Sequence, residues 1–165
     1  MDVEETAMTL DNLVDSGKVL AVGVSNFLVH DWQLLQKHMK HQLVINQIEL
    51  SVLHHKPLTD GTISAMQAEG MQALAWSSLA GGRLFGSDED AIRVRHVLDV
   101  IAKQYGCGVD AVAIAWLLAH PAKIMPVIGT NKIQRIADAQ EALNIDIDRE
   151  TWFEIYTAAL GQEIP

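Results

Sequence analysis

Cysteine, basic runs and long apolar stretches are scarce in this chain, and each scarcity removes a class of protein. The single thiol, Cys107, sits between two glycines; it has no internal partner, which excludes a disulfide-stapled fold and suits a reducing compartment. Lys and Arg number 12 against 21 Asp and Glu, a formal net charge of -9, and no basic run exceeds a pair. Nucleic acid and anionic membrane are therefore poor partners. No apolar run reaches the ~18 to 20 residues of a membrane span, and the acidic start, with Asp2, Glu4 and Glu5, is unlike a signal peptide. The expected location is the cytoplasm. No Gly-x-Gly-x-x-Gly loop follows a strand-like run, so a Rossmann dinucleotide site has no support. His54 and His55 lack a further ligand at metal spacing and read as loop histidines, so no metal site is expected.

What remains is 165 residues, 49% of them hydrophobic, enough for one domain over 1–165 with a sizeable core. Val3, Ala7, Leu10 and Val14 form one helical stripe, with Glu4 and Glu5 in the first turn and Gly17 at the end, which predicts a helix over 3–16. The nearly continuous apolar run 19–25 fits a strand covered on both faces. Alternation continues: helix 29–39, strand 43–49, a short helix 63–69 and strand 71–76. A Ser, Gly and Arg loop over 77–87 then leads to helices 89–105 and 109–119, the second apolar nearly all round and hence buried. Strand 124–128 follows, then a helix over 132–143 with Asn131 and Gln134 in a capping arrangement, and a last helix from the N-cap Asp148 to Gly161. Crossovers long enough for a helix each time predict parallel strands with right-handed connections.

All four strands end in polar residues: Ser25-Asn26, Asn46-Gln47, Trp76-Ser77-Ser78 and Gly129-Thr130. Strand carboxyl ends are where α/β proteins bind ligands, and polar ends on every strand favour half of a (β/α)8 barrel over an open doubly wound sheet. Alone, Ser25 and Asn26 read equally well as a strand end capping the next helix, and Trp76 as core. Trp32, Trp116 and Trp152 fall on helical stripes and read as packing. Glu49 reads as a structural carboxylate rather than a catalytic acid.

Four segments in order resemble the carboxyl-half motifs of the aldo-keto reductases, most nearly the bacterial oxidoreductases of the YdhF type. They are Gly23-Val24-Ser25-Asn26-Phe27, Asn46-Gln47-Ile48-Glu49, the stretch from Ala75 to Leu84, and Ile128 to Ile136. The ending Ala158-Ala159-Leu160-Gly161 before Pro165 is similar too. The resemblance implies the carboxyl-terminal half of a TIM barrel, four parallel strands alternating with helices, that binds a nicotinamide dinucleotide, NADP or alternatively NAD, for hydride transfer to an aldehyde or ketone. By resemblance, Ser25, Asn26 and Gln47 would hold the carboxamide and Trp76 would stack on the nicotinamide. Ser77, Leu79, Gly81, Gly82 and Arg83 would cradle the pyrophosphate. Thr130, Lys132 and Arg135 would meet the adenosine 2′-phosphate, with Asp138 beside the adenine. Ala139 after Asp138, and Gly129 where the family has a basic residue, depart from the pattern.

The family's Asp, Tyr, Lys and His tetrad belongs to earlier strands, and none of those strands is in this sequence. Tyr105 and Tyr156 fall in predicted helices. Met1 to Thr6 resembles the stretch just after the family's catalytic histidine, as if Met1 were an internal methionine of a longer ancestor. The expectation is a cofactor-binding half that is inactive alone and either self-associates or pairs with an amino-terminal half; the alternative is a nucleotide-binding regulatory or non-catalytic fragment.

Overall fold

The structure, a computed structural model, describes residues 2–164; Met1 and Pro165, which enter the family resemblance, lie outside the described residues. The chain alternates helices with strands: α1 Val3–Asp15, β1 Val22–Ser25, α2 Val29–Lys37, β2 Leu43–Glu49, α3 Thr62–Ala68 and β3 Gln72–Trp76. It continues with α4 Glu89–Tyr105, α5 Val109–Leu118, β4 Met125–Pro126, α6 Ile133–Gln140 and α7 Arg149–Leu160. Acidic N-caps start three of the helices. The side chains of Asp2, Asp88 and Asp148 accept the amides of Glu5, Ala91 and Thr151, where the helix has spare N–H groups and its dipole favours negative charge.

All strand pairs are parallel and the order is β1-β2-β3-β4, so each strand lies beside its neighbour in sequence. The two faces differ. Asn46 and Ile48 on β2 pair with Ala73 and Ala75 on β3, and all four are buried beneath helices. The alternate residues Ile45, Gln47, Glu49, Gln72, Leu74 and Trp76 point to the other face and are only half-buried. Met125 continues that face beside Leu74 and is 53% exposed. Helices thus cover one side of the sheet.

Behind the sheet, α5 is buried over Ala111–Leu117, as its all-round apolar pattern required. Trp116 on α5 stacks on Trp152 of α7, ring centroids 4.9 Å apart. Each indole N–H donates to the other residue's backbone carbonyl, at 3.1 and 3.0 Å, so two large apolar surfaces are buried without stranding their donors. The buried Trp32 indole N–H has no partner among the described residues.

Three expectations need correction. The strand expected over 19–25 begins only at Val22, because the amides of Lys18 and Val19 still bond back to Leu13 O beyond the left-handed Gly17. Leu20 is fully exposed as a result. The strand expected over 124–128 shrinks to Met125–Pro126; Pro126 has no N–H to extend a ladder, although Val127 N still donates to Ala75 O at 2.8 Å. The helix expected over 132–143 stops at Gln140 and tightens into a 3₁₀ turn, and the Asn131 and Gln134 cap does not form. Lys132 is the N-cap, without a side-chain bond, while Gln134 Nε2 donates to Asp138 at 2.8 Å. The ends of α2, α3 and β3 shift by one or two residues.

Gly23 allows β1 to lie close to β2. A Cβ at this position would fall 2.6 Å from Ile45 O, so any side chain must push the strands apart. Gly23→Ala is expected to cost roughly 1 to 3 kcal/mol in urea unfolding; an unchanged midpoint would show that β1 accommodates the methyl group.

Asp11, buried on α1, accepts the amides of Lys40 at 2.9 Å and His41 at 3.1 Å and so ties α1 to the turn before β2. The Lys40 amide foremost, then His41, holds its carboxyl below the ordinary value. A depressed folded value means that the stabilisation is full above the unfolded value of about 4 and is lost as pH falls through the folded one. The stability gap between wild type and Asp11→Asn should therefore narrow from about pH 5 to pH 3; a gap independent of pH would contradict it.

Candidate functional site

The carboxyl ends of β1, β2 and β3 gather Ser25, Asn26, Gln47 and Trp76. Register does this: Ser25 pairs with Gln47, and Glu49 with Trp76. Ser25 Oγ donates to Gln47 O at 3.1 Å, and Asn26 N donates to the same carbonyl at 2.9 Å. Asn26 then turns sharply out of the strand with φ 57. Its side-chain Oδ1 accepts the Trp76 indole N–H at 2.8 Å, a bond between residues 50 apart in sequence. Among the described residues the Gln47 amide makes no side-chain bond, so it keeps both donor and acceptor for a ligand. Sequence reading had grouped these four residues without the indole bond, which no local pattern announces.

After β3 the backbone is strained. Ser77 and Ala80 have φ 53 and 52, and Gly81 and Gly82 have 62 and 93, so four of six residues are left-handed. An added Cβ at Gly82 would meet nothing within 4 Å, and at Gly81 only Ser77 Oγ at 3.9 Å. The backbone is open to a close ligand at this point, as it is at Gly129. Leu79 packs partly against the core. Ser78 is buried instead of facing the mouth; its hydroxyl lies 2.9 Å from Ala75 O and 3.4 Å from Val127 O, joining β3 to the residue just after β4.

Arg83 has carboxylate partners, Asp88 at 3.0 Å and Asp90 at 3.6 Å. Its guanidinium, with the Ala91 amide, holds the Asp88 carboxyl below the ordinary range. The pair is partly exposed and so contributes little to stability. In the segment between β4 and α6, Thr130 Oγ1 accepts Lys132 N at 3.2 Å, and Lys132 and Arg135 are exposed at the start of α6. Asp138 accepts from Gln134, one turn away. A separate groove of about 540 Å³ lies among Leu58, His120, Pro121, Trp152, Phe153 and Tyr156, and contains none of the residues that the family resemblance places against a cofactor. His55, expected to be solvated, packs edge-on against Tyr156 at 5.2 Å, and burial lowers its pKa.

Strain in the loop after β3 has a direct consequence at Ala80, a residue with a Cβ at a left-handed φ. Ala80→Gly should raise stability by roughly 0.5 to 1 kcal/mol, since relief of left-handed strain outweighs the added freedom of the unfolded chain. A lower urea midpoint would contradict this.

Residues 1–159 match the Aldo/keto reductase family. The 6-dehydroglucose reductase of Agrobacterium fabrum is 49% identical over 164 residues, which cover 99% of this chain and 54% of that protein. Oxidoreductase YdhF of Escherichia coli is 40% identical over 166 residues, covering 100% of this chain and 55% of that protein. The chain thus spans about half the length of the curated relatives it matches. A crystal structure of a thermostable aldo-keto reductase with the inhibitor epalrestat shares its fold, with a TM-score of 0.84 at 22% identity over 96% of this chain and 55% of that one. Four parallel strands with helices on one face are half of that barrel, and the sequence resemblance had implied the same architecture. The chain belongs to the aldo/keto reductase family.

Proposed function

We propose that this chain carries the nicotinamide-dinucleotide-binding elements of an NADP-dependent aldo-keto reductase whose reaction is the reduction of an aldehyde or ketone. The observation that carries the reading is the meeting of Ser25, Asn26, Gln47 and Trp76 at one carboxyl edge. Their chemistry fits a carboxamide, which has one acceptor and two donors. Asn26 Oδ1 is engaged by the indole, so Asn26 offers Nδ2 as a donor, while Gln47 offers either kind of group. Trp76 supplies a broad flat surface beside them for stacking. When bound, the reduced cofactor would supply the hydride.

Gly81, Gly82, Ser77 and Leu79 would face the pyrophosphate, where an open backbone admits close approach. Arg83 would exchange Asp88 and Asp90 for phosphate. Thr130, Lys132 and Arg135 favour NADPH over NADH, because exposed cations at the start of α6 suit a 2′-phosphate. Proton donation to the carbonyl is assigned outside these residues. Tyr105 is committed to Asp146 O at 2.7 Å, and Tyr156 is buried near Trp116 and Trp152. The half-covered sheet face with Ile45, Leu74 and Met125 is where the rest of a barrel would pack, and the lone thiol suits a cytoplasmic setting.

NADPH should quench the tryptophan fluorescence of the chain, and Trp76→Ala should remove most of that quenching. Arg135→Ala should weaken NADPH roughly tenfold and NADH much less, since only the former carries the extra phosphate. The chain alone should show no measurable reduction of a simple aldehyde, for want of ~10²- to 10⁴-fold of proton-transfer catalysis. No quenching at millimolar NADPH would overturn the binding assignment; aldehyde turnover by the purified chain would overturn the placement of the proton donor.

A further inference from the structure

Behind the carboxyl edge stands a residue that the binding assignment does not use. Asn46 is fully buried between β1 and β3, paired with Val24 and Ala73. It lies on the helix-covered face and so does not point toward the mouth. Its Nδ2 donates to Phe27 O at 2.8 Å, and its Oδ1 has no partner among the described residues. A backbone carbonyl only accepts, so the amide nitrogen must be the end that faces Phe27. An amide buried with one end unpaired is costly, and an apolar side chain in this place would avoid the cost. The bond it does make falls on the residue just after Asn26.

The Ser25-Asn26-Phe27 turn is therefore held from two sides. From the mouth, the Trp76 indole N–H grips Asn26 Oδ1. From behind the sheet, Asn46 grips Phe27 O. Between these points lies the left-handed Asn26, a conformation that a freely moving loop would leave readily. The turn has two more tethers, Ser25 Oγ and Asn26 N, both donating to Gln47 O, which fix where the turn begins but not how the Asn26 side chain is aimed.

We propose that Asn46 and the indole N–H of Trp76 are positioning groups that clamp this turn and fix which end of the Asn26 amide faces the ligand. With Oδ1 held by the indole, Nδ2 is presented outward as a donor. Trp76 then has a role that a stacking surface alone lacks: phenylalanine would keep much of the flat area and lose the N–H. Asn46 acts through Phe27 and touches no ligand itself. The ligand arm of this inference rests on the cofactor reading; the clamp itself does not.

The test is two-dimensional ¹⁵N–¹H NMR on the full chain, followed by NADPH titration of wild type, Trp76→Phe and Asn46→Ala. In wild type the Trp76 indole N–H should resonate as a hydrogen-bonded proton and exchange slowly with solvent. In Asn46→Ala it should move toward the position of a free indole, although Asn46 and Trp76 share no hydrogen bond. A residue that merely fills the core would lower stability and leave that signal in place, which would overturn the role given to Asn46. In Trp76→Phe the Asn26 Nδ2 signals should shift and broaden; unchanged signals would overturn the role given to the indole, and this exposed-edge variant serves even if Asn46→Ala fails to fold. Both variants should bind NADPH roughly tenfold more weakly, the size expected when one positioning hydrogen bond is lost. Affinities within twofold of wild type would overturn the ligand arm. If wild type binds no NADPH, the cofactor reading fails, and the indole and Asn26 signals still decide the clamp.

Discussion

The parallel register of β2 with its two neighbours is the constraint on which the rest depends. Side chains alternate along a strand, so a slip of one residue would carry Gln47 under the helices and turn Asn46 and Ile48 outward. In the observed register, Ser25 lies beside Gln47 and Trp76 beside Glu49, so the strands bring Ser25, Gln47 and Trp76 to one edge and the turn after β1 adds Asn26. Gly23 sustains this arrangement because only a residue without Cβ fits against Ile45 O. The helix layer adds a second constraint. Ile48, Ala73 and Ala75 lose their favourable burial if the register shifts, so core and site are stabilised by one arrangement.

Chemistry at the mouth is divided between two kinds of group. Polar side chains on β1 and β2 supply hydrogen bonds in fixed directions, whereas the loop after β3 supplies open backbone at Gly81 and Gly82. The chain as a whole is acidic, at -9, and would repel a polyanionic cofactor at long range. That repulsion is screened beyond about 8 to 10 Å at physiological salt, so on the proposed reading the local balance would be set by Lys132, Arg135 and Arg83. Arg83 differs from the other two because its carboxylate partners must be displaced first.

Much of this was legible in the sequence where the signal is local. Asp148 announced α7, the unbroken apolar face of 109–119 announced a buried α5, and Ser25, Gln47 and Trp76 marked the carboxyl ends of β1, β2 and β3. What escaped depends on distant partners. Val19 looks like strand, yet its amide reaches back to Leu13, so β1 starts later. Asn131 and Gln134 have cap spacing, yet Gln134 bonds to Asp138. Asn46 beside Gln47 reads as a second polar strand end; only the pairing with Ala73 shows that it faces inward. A tryptophan closing a strand looks the same whether or not its N–H has found an acceptor 50 residues away.

The central claim is that one ligand spans the carboxyl ends of β1, β2 and β3 and the start of α6, and chemical-shift mapping of the ¹⁵N-labelled chain with NADPH tests it most directly. The account predicts a single saturable process that moves the signals of Ser25, Asn26, Gln47, Trp76, Gly81, Gly82 and the start of α6 with one dissociation constant. Shifts confined to the groove around Trp152 and Phe153, or different constants for the β1 and α6 signals, would contradict it.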